Sequence, residues 1–265
     1  MNKDITIVTA FFDIGRGTWT QDRGFPHYLL RSNDTYFERF AHLASLENEM
    51  FIFTSAEHVD RVAALRGDRP TTIFQFDYKE QFAKLLEEIE WVQIQPNYQG
   101  IINNRERINP EYWNPEYVLI NVLKSTFACM ASIQAKNDML AWIDFGYCRE
   151  AATLNNVKHW RYPFDPERIH FFSIRDWDNR TLPDIIGNNR VYITGPCIVA
   201  SKALWKDLEF YVFEALSGLL ENSLVDDDQT LLLLTALAKP ELCQIHKVDP
   251  SDWFVIFKKF NEDIS

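Results

Sequence analysis

Two groups of carboxylates in this sequence lie where an enzyme could use them. Asp144 follows the apolar run LAWI, and Asp226, Asp227 and Asp228 form an unbroken triplet ahead of QTLLLL. A carboxylate can remove a proton from a reacting hydroxyl or bind a cation. Each placement also has a structural explanation, because an Asp caps turns and acidic residues complement the start of a helix. Three adjacent acids exceed what capping requires, so we predict that one of them faces a site.

Cationic and small residues supply weaker signals. Arg16 stands between two glycines in FFDIGRGTW, yet this loop matches neither a dinucleotide-binding nor a Walker phosphate loop. Lys124, Arg149 and His246 each have an ordinary structural interpretation when taken singly. Gly195 precedes a proline in YITGPCIVASKALW, where we expect a strand to end in a tight turn that leaves room for a ligand.

The hydrophobic pattern predicts an α/β domain that places Asp144 at the end of a strand. Short apolar runs alternate with amphipathic segments, which is typical of a mostly parallel sheet with helices on both faces. Ligands bind such sheets at the carboxyl ends of the strands. The predicted strands are 5–12, 50–54, 71–76, 140–145, 169–174, 191–194, 242–246 and 253–257. The predicted helices are 35–44, 57–65, 79–92, 115–136, 202–220 and 226–237, with an irregular segment at 96–115.

Composition excludes several classes of protein. The chain has 265 residues and a formal net charge of −11, which argues against nucleic acid as a partner but is compatible with a small basic pocket for a phosphate. No Gly-x-Ser-x-Gly, HExxH or CxxC motif occurs. The chain lacks an apolar stretch long enough for a transmembrane segment and a signal-peptide pattern, so we expect a cytoplasmic protein.

Four motifs give the chain a resemblance to a known family. They are TIVTAFFDIGRG, NPEYWNPEYVLINVLKS, WIDFGYCR and VDDDQTLLLL, and together they extend over most of the sequence. By these motifs the chain resembles the bacterial HtrL/YibB family, and their order looks like the GT-A fold of nucleotide-sugar glycosyltransferases. The resemblance implies a single GT-A-like (Rossmann-like) domain over 1–265. Its nucleotide-binding half would be about 1–150 and its acceptor-binding half about 151–265.

The resemblance also implies an activity and roles for particular residues. The protein would be an inverting glycosyltransferase of hexosyltransferase type in cell-surface polysaccharide or lipopolysaccharide biosynthesis. Its partners would be a nucleotide-sugar donor, with a UDP-sugar favoured, and a glycan or lipid-linked glycan acceptor, so peripheral association with the inner membrane stays open. Asp227 or Asp228 would be the catalytic base. Donor-binding roles would fall to Thr9, Ala10, Phe11, Arg16, Lys124, Asp144, Gly195 and Gln229.

The cofactor implied by the resemblance is a divalent cation, Mn²⁺ or Mg²⁺, but the motif that would bind it is incomplete. Asp144 matches the first carboxylate of Asp-x-Asp, whereas Gly146 stands in place of the second. One alternative is a cation held by Asp144, His246 and diphosphate oxygens. The other is neutralisation of the leaving diphosphate by Arg16 and Lys124 without a metal.

Two further functions remain open from the sequence. A nucleotidyltransferase would use the same kind of nucleotide site, although DIGRG imitates its usual glycine-rich loop only faintly. A degenerate GT-A domain that binds a glycan or a protein would explain the missing second carboxylate. The acidic triplet together with Arg16 and Asp144 argues against this binding module.

Overall fold

A seven-stranded sheet forms the centre of the protein in a computed structural model, which describes residues 3–262. The strand order across the sheet is β3-β2-β1-β4-β6-β5-β7. In chain order the strands are β1 (Ile5–Phe11), β2 (Met50–Thr54), β3 (Thr71–Gln75), β4 (Met139–Ile143), β5 (Ile169–Ser173), β6 (Ile193–Ser201) and β7 (Cys243–Lys247).

Most neighbouring strands are parallel. The pairs β1–β2, β1–β4, β2–β3 and β5–β7 are parallel, whereas β6 runs antiparallel to both β4 and β5. The carboxyl ends of β1 and β4 therefore meet at one edge of the sheet. The α/β class and the mostly parallel sheet predicted from the sequence are confirmed.

Helices cover both faces of this sheet. They are α1 (Asn33–Leu43), α2 (Val59–Arg66), α3 (Tyr78–Gln81), α4 (Ala83–Gln93), α5 (Pro96–Ile101), α6 (Pro115–Val122), α7 (Lys124–Ser132), α8 (Leu182–Gly187), α9 (Lys202–Glu221), α10 (Asp228–Ala238) and α11 (Ile256–Lys259). Within residues 3–262 no helix combines the length and the apolar character needed to span a membrane.

Alternate residues of the buried strands face two different cores, as the pleat of a strand requires. Val8 and Ala10 of β1 belong to a core built with α4, α6, α7, α9 and α10. Ile5 and Ile7 belong to a second core, built with α1, α2 and α11. Apolar residues on both faces explain why β1 is a continuous hydrophobic run. The division of the chain into halves at about residue 150 stays a prediction.

The structure corrects the prediction at Gly195 and Pro196. No turn forms there, because β6 continues through both residues and pairs with β4 as far as Cys197 opposite Ile143. On its other side, the pairing of β6 with β5 is irregular between His170 and Phe172. A proline, which has no N–H to donate, is tolerated in a strand at such an irregularity.

Four other predictions differ from the structure. The predicted strand 253–257 is wrong, since this segment leads into α11. The predicted helix 115–136 is two helices, α6 and α7, joined at Leu123. The predicted helix 79–92 is likewise divided into α3 and α4. The segment 96–115, predicted to be irregular, contains α5.

Candidate active site at the carboxyl ends of the strands

A cavity of about 290 Å³ opens where β1 and β4 end. Its walls come from the loop after β1, the start of α1, the α6–α7 junction, the segment after β4 and the residues that precede α11. Six residues predicted for the site line this cavity: Ala10, Phe11, Arg16, Lys124, Asp144 and Gln229. The rule that ligands bind at the carboxyl ends of parallel strands thus located the cavity correctly.

Asp144 lies at the floor of the cavity, directly after β4. Its backbone N–H donates to the carbonyl of Pro196, 2.9 Å away, which attaches it to the neighbouring strand. Its Oδ1 accepts a hydrogen bond from Trp142 Nε1 at 2.8 Å and lies 3.0 Å from Nζ of Lys124. About a third of the side chain, 37%, stays exposed, so a ligand can still reach this carboxylate.

Lys124 is a buried ammonium between two carboxylates. Its Nζ donates to Asp228 Oδ2 at 2.7 Å and to the Gly195 carbonyl at 3.2 Å, in addition to its contact with Asp144. Burial lowers the pKa of Lys124, but Asp144 and Asp228 raise it by more, so the net pKa lies above its ordinary value. Lys124 therefore stays charged, and its charge is already matched by the protein.

Gly195 and Asp228 are in direct contact. A β-carbon added to Gly195 would lie 2.0 Å from Asp228 Oδ2, a distance at which no side chain fits. Gly195 does not line the cavity, and its predicted contact with the donor is replaced by contacts with Asp228 and Lys124. The glycine thus gives Asp228 the space that it needs to reach Lys124.

The other acids of the triplet lie in a buried group with Glu111. Asp227 caps α10 through Oδ1, which accepts from the N–H of Gln229 at 3.1 Å, and Asp226 Oδ2 accepts from Thr230 Oγ1 at 2.6 Å. Burial raises the pKa of Asp226 to about 7. Burial together with the nearby Asp226 raises the pKa of Glu111 to about 8. We name Glu111, Asp226 and Asp227 the acid cluster.

Asp227 and Asp228 lie behind the cavity wall rather than in it. Both residues are about 95% buried, whereas the adjacent Gln229 lines the cavity. Burial and the charges of neighbouring acids raise the pKa of Asp227 well above its ordinary range. For Asp228 the burial that raises its pKa is opposed by Lys124, and the net pKa is still raised.

Two predicted residues lie away from the cavity. Thr9 is fully buried on the face of β1 that it shares with Ile7 and Phe11, and it does not line the cavity. His246 lies on β7, which is separated from β4 by β6 and β5, or about 14 Å at the usual strand spacing. Its Nε2 is 2.9 Å from Nδ1 of His170. The prediction that His246 shares a metal with Asp144 is therefore wrong.

Among the described residues, protein side chains alone do not form a divalent-cation site around Asp144, and the predicted Mn²⁺ or Mg²⁺ stays a prediction. Within residues 3–262, no three His, Cys, Asp or Glu side chains are grouped so that they could hold a metal ion. The place of the second carboxylate is taken by Gly146, where an added β-carbon would lie 3.1 Å from the Tyr36 ring. The counter-charge beside Asp144 is instead the ammonium of Lys124.

Arginines that sequence reasoning missed also belong to this site. Arg31 and Arg149 line the cavity, and Arg39 lies close to Gly146. In the sequence, Arg149 taken singly has the ordinary interpretation of a solvated charge, and Arg31 and Arg39 carry no motif. Their clustering depends on how α1 packs beside the end of β4, which no local pattern reveals.

Solved structures with a similar fold include two transferases. Mouse xyloside xylosyltransferase 1, in its apo form, matches with a TM-score of 0.47 and 11% identity over 92% of this chain and 85% of that one. Glycosyltransferase GlyE of Streptococcus pneumoniae TIGR4 matches with a TM-score of 0.42 and 8% identity over 92% of this chain and 45% of that one.

The sequence comparisons cover almost the whole chain. A family model described as "Bacterial protein of unknown function (HtrL_YibB)" matches residues 3–262. Protein HtrL of Escherichia coli (strain K12) is 39% identical over 269 residues, which cover 99% of this chain and 94% of that protein. A match of this extent and identity confirms the resemblance found in the motifs, and the chain belongs to the HtrL/YibB family of bacterial proteins.

Proposed function

We propose that this protein is a glycosyltransferase that uses a nucleotide-sugar donor. The observation that carries the proposal is the charge of the cavity at the ends of β1 and β4. Four cations line it, Arg16, Arg31, Lys124 and Arg149, against two carboxylates, Asp13 and Asp144, in a chain that has 27 Lys and Arg and 38 Asp and Glu. A pocket of reversed charge in an acidic protein is suited to a phosphorylated ligand.

The donor would lie across the end of β1. Ala10 and Phe11 would contact its nucleoside, and Arg16 would contact its phosphates, as the family resemblance implies. Arg16 is only 7% exposed, and its guanidinium stacks over aromatic rings, with Trp19 at 5.0 Å and Tyr117 at 5.2 Å. This stacking holds the guanidinium in a fixed orientation, which suits it to receive a leaving diphosphate without a metal ion.

The two candidate bases have different surroundings. Asp228 is bound by Lys124, so its role would be to hold the ammonium beside Asp144. Asp227 uses Oδ1 for the cap bond to Gln229, which leaves Oδ2 for an acceptor hydroxyl. A raised pKa makes a carboxylate a stronger base once it is ionised. We therefore assign the base of an inverting reaction to Asp227, with a small rearrangement that opens the wall beside Gln229.

The remaining parts of the proposal rest on the family resemblance. The donor would be a UDP-sugar and the transferred group a hexose. The acceptor would be a glycan or a lipid-linked glycan in cell-surface polysaccharide or lipopolysaccharide assembly, which would take place in the cytoplasm or at the inner face of the membrane. The divalent cation that the resemblance implies, Mn²⁺ or Mg²⁺, would be dispensable in this cavity, because its cationic side chains supply the counter-charge.

Calorimetry with nucleotides tests the proposal. UDP, GDP, CMP and ADP would be titrated into the wild type, with Mn²⁺ and with EDTA, and into Asp144→Ala. Asp207→Ala, an exposed acid on α9, is the matched control. We expect selective binding of UDP that persists in EDTA and is unchanged in Asp207→Ala. Asp144→Ala should weaken it, because a ribose hydroxyl of the donor would lose the carboxylate that accepts its hydrogen bond. Binding of no nucleotide under any condition would overturn the proposal.

The products of turnover separate the proposed activity from nucleotidyl transfer. Glycosyl transfer releases a nucleoside diphosphate, whereas nucleotidyl transfer releases inorganic pyrophosphate. Incubation with a UDP-sugar and a glycan acceptor is therefore expected to release UDP. Release of pyrophosphate from a nucleoside triphosphate and a sugar phosphate would instead identify a nucleotidyltransferase.

A further inference from the structure

Four arginines gather around one tyrosine at the side of the cavity formed by α1. Arg16 donates from Nη1 to the hydroxyl of Tyr36. An added β-carbon at Gly146 would contact both the Tyr36 ring and Cδ of Arg39, which places these two side chains together. Arg31 and Arg149 line the cavity beside Tyr36. We name Arg16, Arg31, Arg39 and Arg149 the arginine cluster.

None of these four arginines forms an ion pair with a carboxylate among residues 3–262. Four arginines elsewhere do: Arg61, Arg161, Arg180 and Arg190. Three guanidinium nitrogens of the cluster are buried and lack a hydrogen-bond partner within the described residues: Arg16 Nε, Arg39 Nη1 and Arg149 Nε. Buried donors are normally satisfied, so these nitrogens indicate that a ligand completes the cluster.

The cluster is also close enough for its members to repel one another. Burial lowers the pKa of Arg149 to about 10, and the charges of Arg31 and Arg39 contribute to the shift. Burial and the charge of Arg31 likewise lower the pKa of Arg39. Clustered like charges disfavour the folded state unless an anion binds them. The chain has a net charge of −11, yet no carboxylate among residues 3–262 forms an ion pair with this cluster.

The lysine at the cavity floor cannot serve as the main anion site. The charge of Lys124 is already opposed by Asp144 and Asp228, which together outweigh it. Within the part of the chain that the structure describes, the arginine cluster forms no ion pair comparable to those of Lys124. A planar guanidinium can donate two N–H groups to two oxygens of one phosphate, and such charge-assisted bonds are stronger than neutral ones.

We propose that the arginine cluster binds a diphosphate group directly, without a divalent cation. The assignment deepens the proposed function and rests on it, because the nucleotide-sugar donor would supply this group. A lipid-linked diphosphate acceptor carries the same chemistry. The cluster would then neutralise the charge of the leaving diphosphate, which is the role that a metal ion would otherwise have.

The first probe is inorganic pyrophosphate in the presence of EDTA. Its binding is measured by calorimetry and by thermal unfolding. The variants are Arg31→Gln and Arg149→Gln, with Arg180→Gln as a control outside the cavity that is paired with Asp184. We expect each cluster variant to weaken pyrophosphate binding about tenfold or more, and Arg180→Gln to leave it unchanged. Without ligand, the cluster variants should unfold at the same or a higher temperature, because repulsion is relieved. Absent binding, a requirement for metal, or wild-type affinity in both cluster variants would overturn the proposal.

Two larger probes identify the source of the diphosphate. UDP and an isoprenyl diphosphate would each be compared with pyrophosphate in EDTA. Tighter binding of UDP assigns the cluster to the donor, and tighter binding of the isoprenyl diphosphate assigns it to the acceptor; either supports the site. A third outcome is that pyrophosphate binds through these arginines while no nucleotide sugar supports transfer. That result would overturn the proposed function and would still support the anion site.

Discussion

The Cα of Gly195 lies so close to the carboxylate of Asp228 that a β-carbon would come within 2.0 Å of Oδ2 and 2.6 Å of Cγ. Lys124 joins the two residues, since its Nζ contacts Asp228 Oδ2 and the Gly195 carbonyl. Hydrogen bonds from Lys124, at the start of α7, thereby connect Gly195 of β6 and Asp228 of α10. The charged floor of the cavity depends on the absence of a side chain at position 195.

Gly195→Ala is expected to displace Asp228 from Lys124. The overlap should lower the free energy of unfolding by about 1–3 kcal/mol, the usual range for overpacking. Gly218→Ala is the control, because a β-carbon there meets nothing within 4 Å and the residue lies inside α9. That change should raise the free energy of unfolding by about 0.5–1 kcal/mol. Equal effects of the two substitutions in urea unfolding would contradict the packing argument.

Lys124→Met is expected to leave two carboxylates without their counter-charge. Removing one partner of a buried ion pair typically lowers the free energy of unfolding by about 3–5 kcal/mol. Lys79→Met is the surface control; Lys79 pairs with Glu116 in an exposed position, so its loss should cost less than about 1 kcal/mol.

A double-mutant cycle isolates the Lys124–Asp228 pair. Asp228→Asn keeps the shape of the side chain but removes its charge. The double variant Lys124→Met/Asp228→Asn should be less destabilised than the sum of the single variants. Simple additivity in chemical denaturation would show that the pair contributes no coupling.

The acid cluster predicts that stability falls as the pH rises. Glu111 and Asp226 have folded pKa values of about 8 and 7, whereas carboxyls in an unfolded chain titrate near 4. Between about pH 4 and pH 8 the folded state therefore binds more protons, so the free energy of unfolding decreases with pH. The slope is at most about 1.4 kcal/mol per pH unit for each group.

Glu111→Gln should flatten that slope, because it removes one group whose folded pKa is raised. Glu88→Gln, an exposed change on α4, should leave the slope as in the wild type. Urea unfolding at intervals between pH 4 and pH 8 measures the effect. An identical slope in wild type and Glu111→Gln would show that Glu111 is not a proton-binding group of the folded state.

The pair of His170 and His246 predicts a change of the opposite sign. Burial lowers the pKa of both rings, and that of His246 falls to about 4 with the charge of His170 contributing. The unfolded chain then binds more protons between about pH 4 and 6.5, so this contribution to stability is lost as the pH falls through that range. His246→Gln removes the titration and should lessen the loss. A wild-type profile in this variant below pH 6.5 would refute the assignment.

Gly146→Asp would restore the second carboxylate of Asp-x-Asp, and we expect it to weaken nucleotide binding. Its side chain would press on the Tyr36 ring, 3.1 Å from the added β-carbon, and would introduce a charge beside the arginine cluster. Titration of UDP with Mn²⁺ and with EDTA measures the outcome. A gain of Mn²⁺-dependent affinity would mean that the site accepts a metal once the second carboxylate is present.

Local sequence patterns predicted most of the secondary-structure elements and the edge of the sheet at which the cavity lies. Strand β2 was predicted at its observed bounds, and helix α9 was predicted within one residue, because local hydrophobic period and capping signals decide such elements. The position of Asp144 after a buried strand also followed from local pattern. The side chains that surround Asp144 could not be predicted from local pattern.

Contacts between side chains that are distant in the chain form only in the folded protein. Pairing partners carry β6 through Gly195 and Pro196, although local chemistry predicted a turn there. Lys124 and Asp228 are 104 residues apart in the chain and become an ion pair only when α7 and α10 pack against the sheet. Arg16 and Arg149, on opposite sides of β2 and β3 in the chain, likewise reach one cavity only after folding. Charge pairing and clustering depend on distance in space, which the spacing of residues along a chain does not specify.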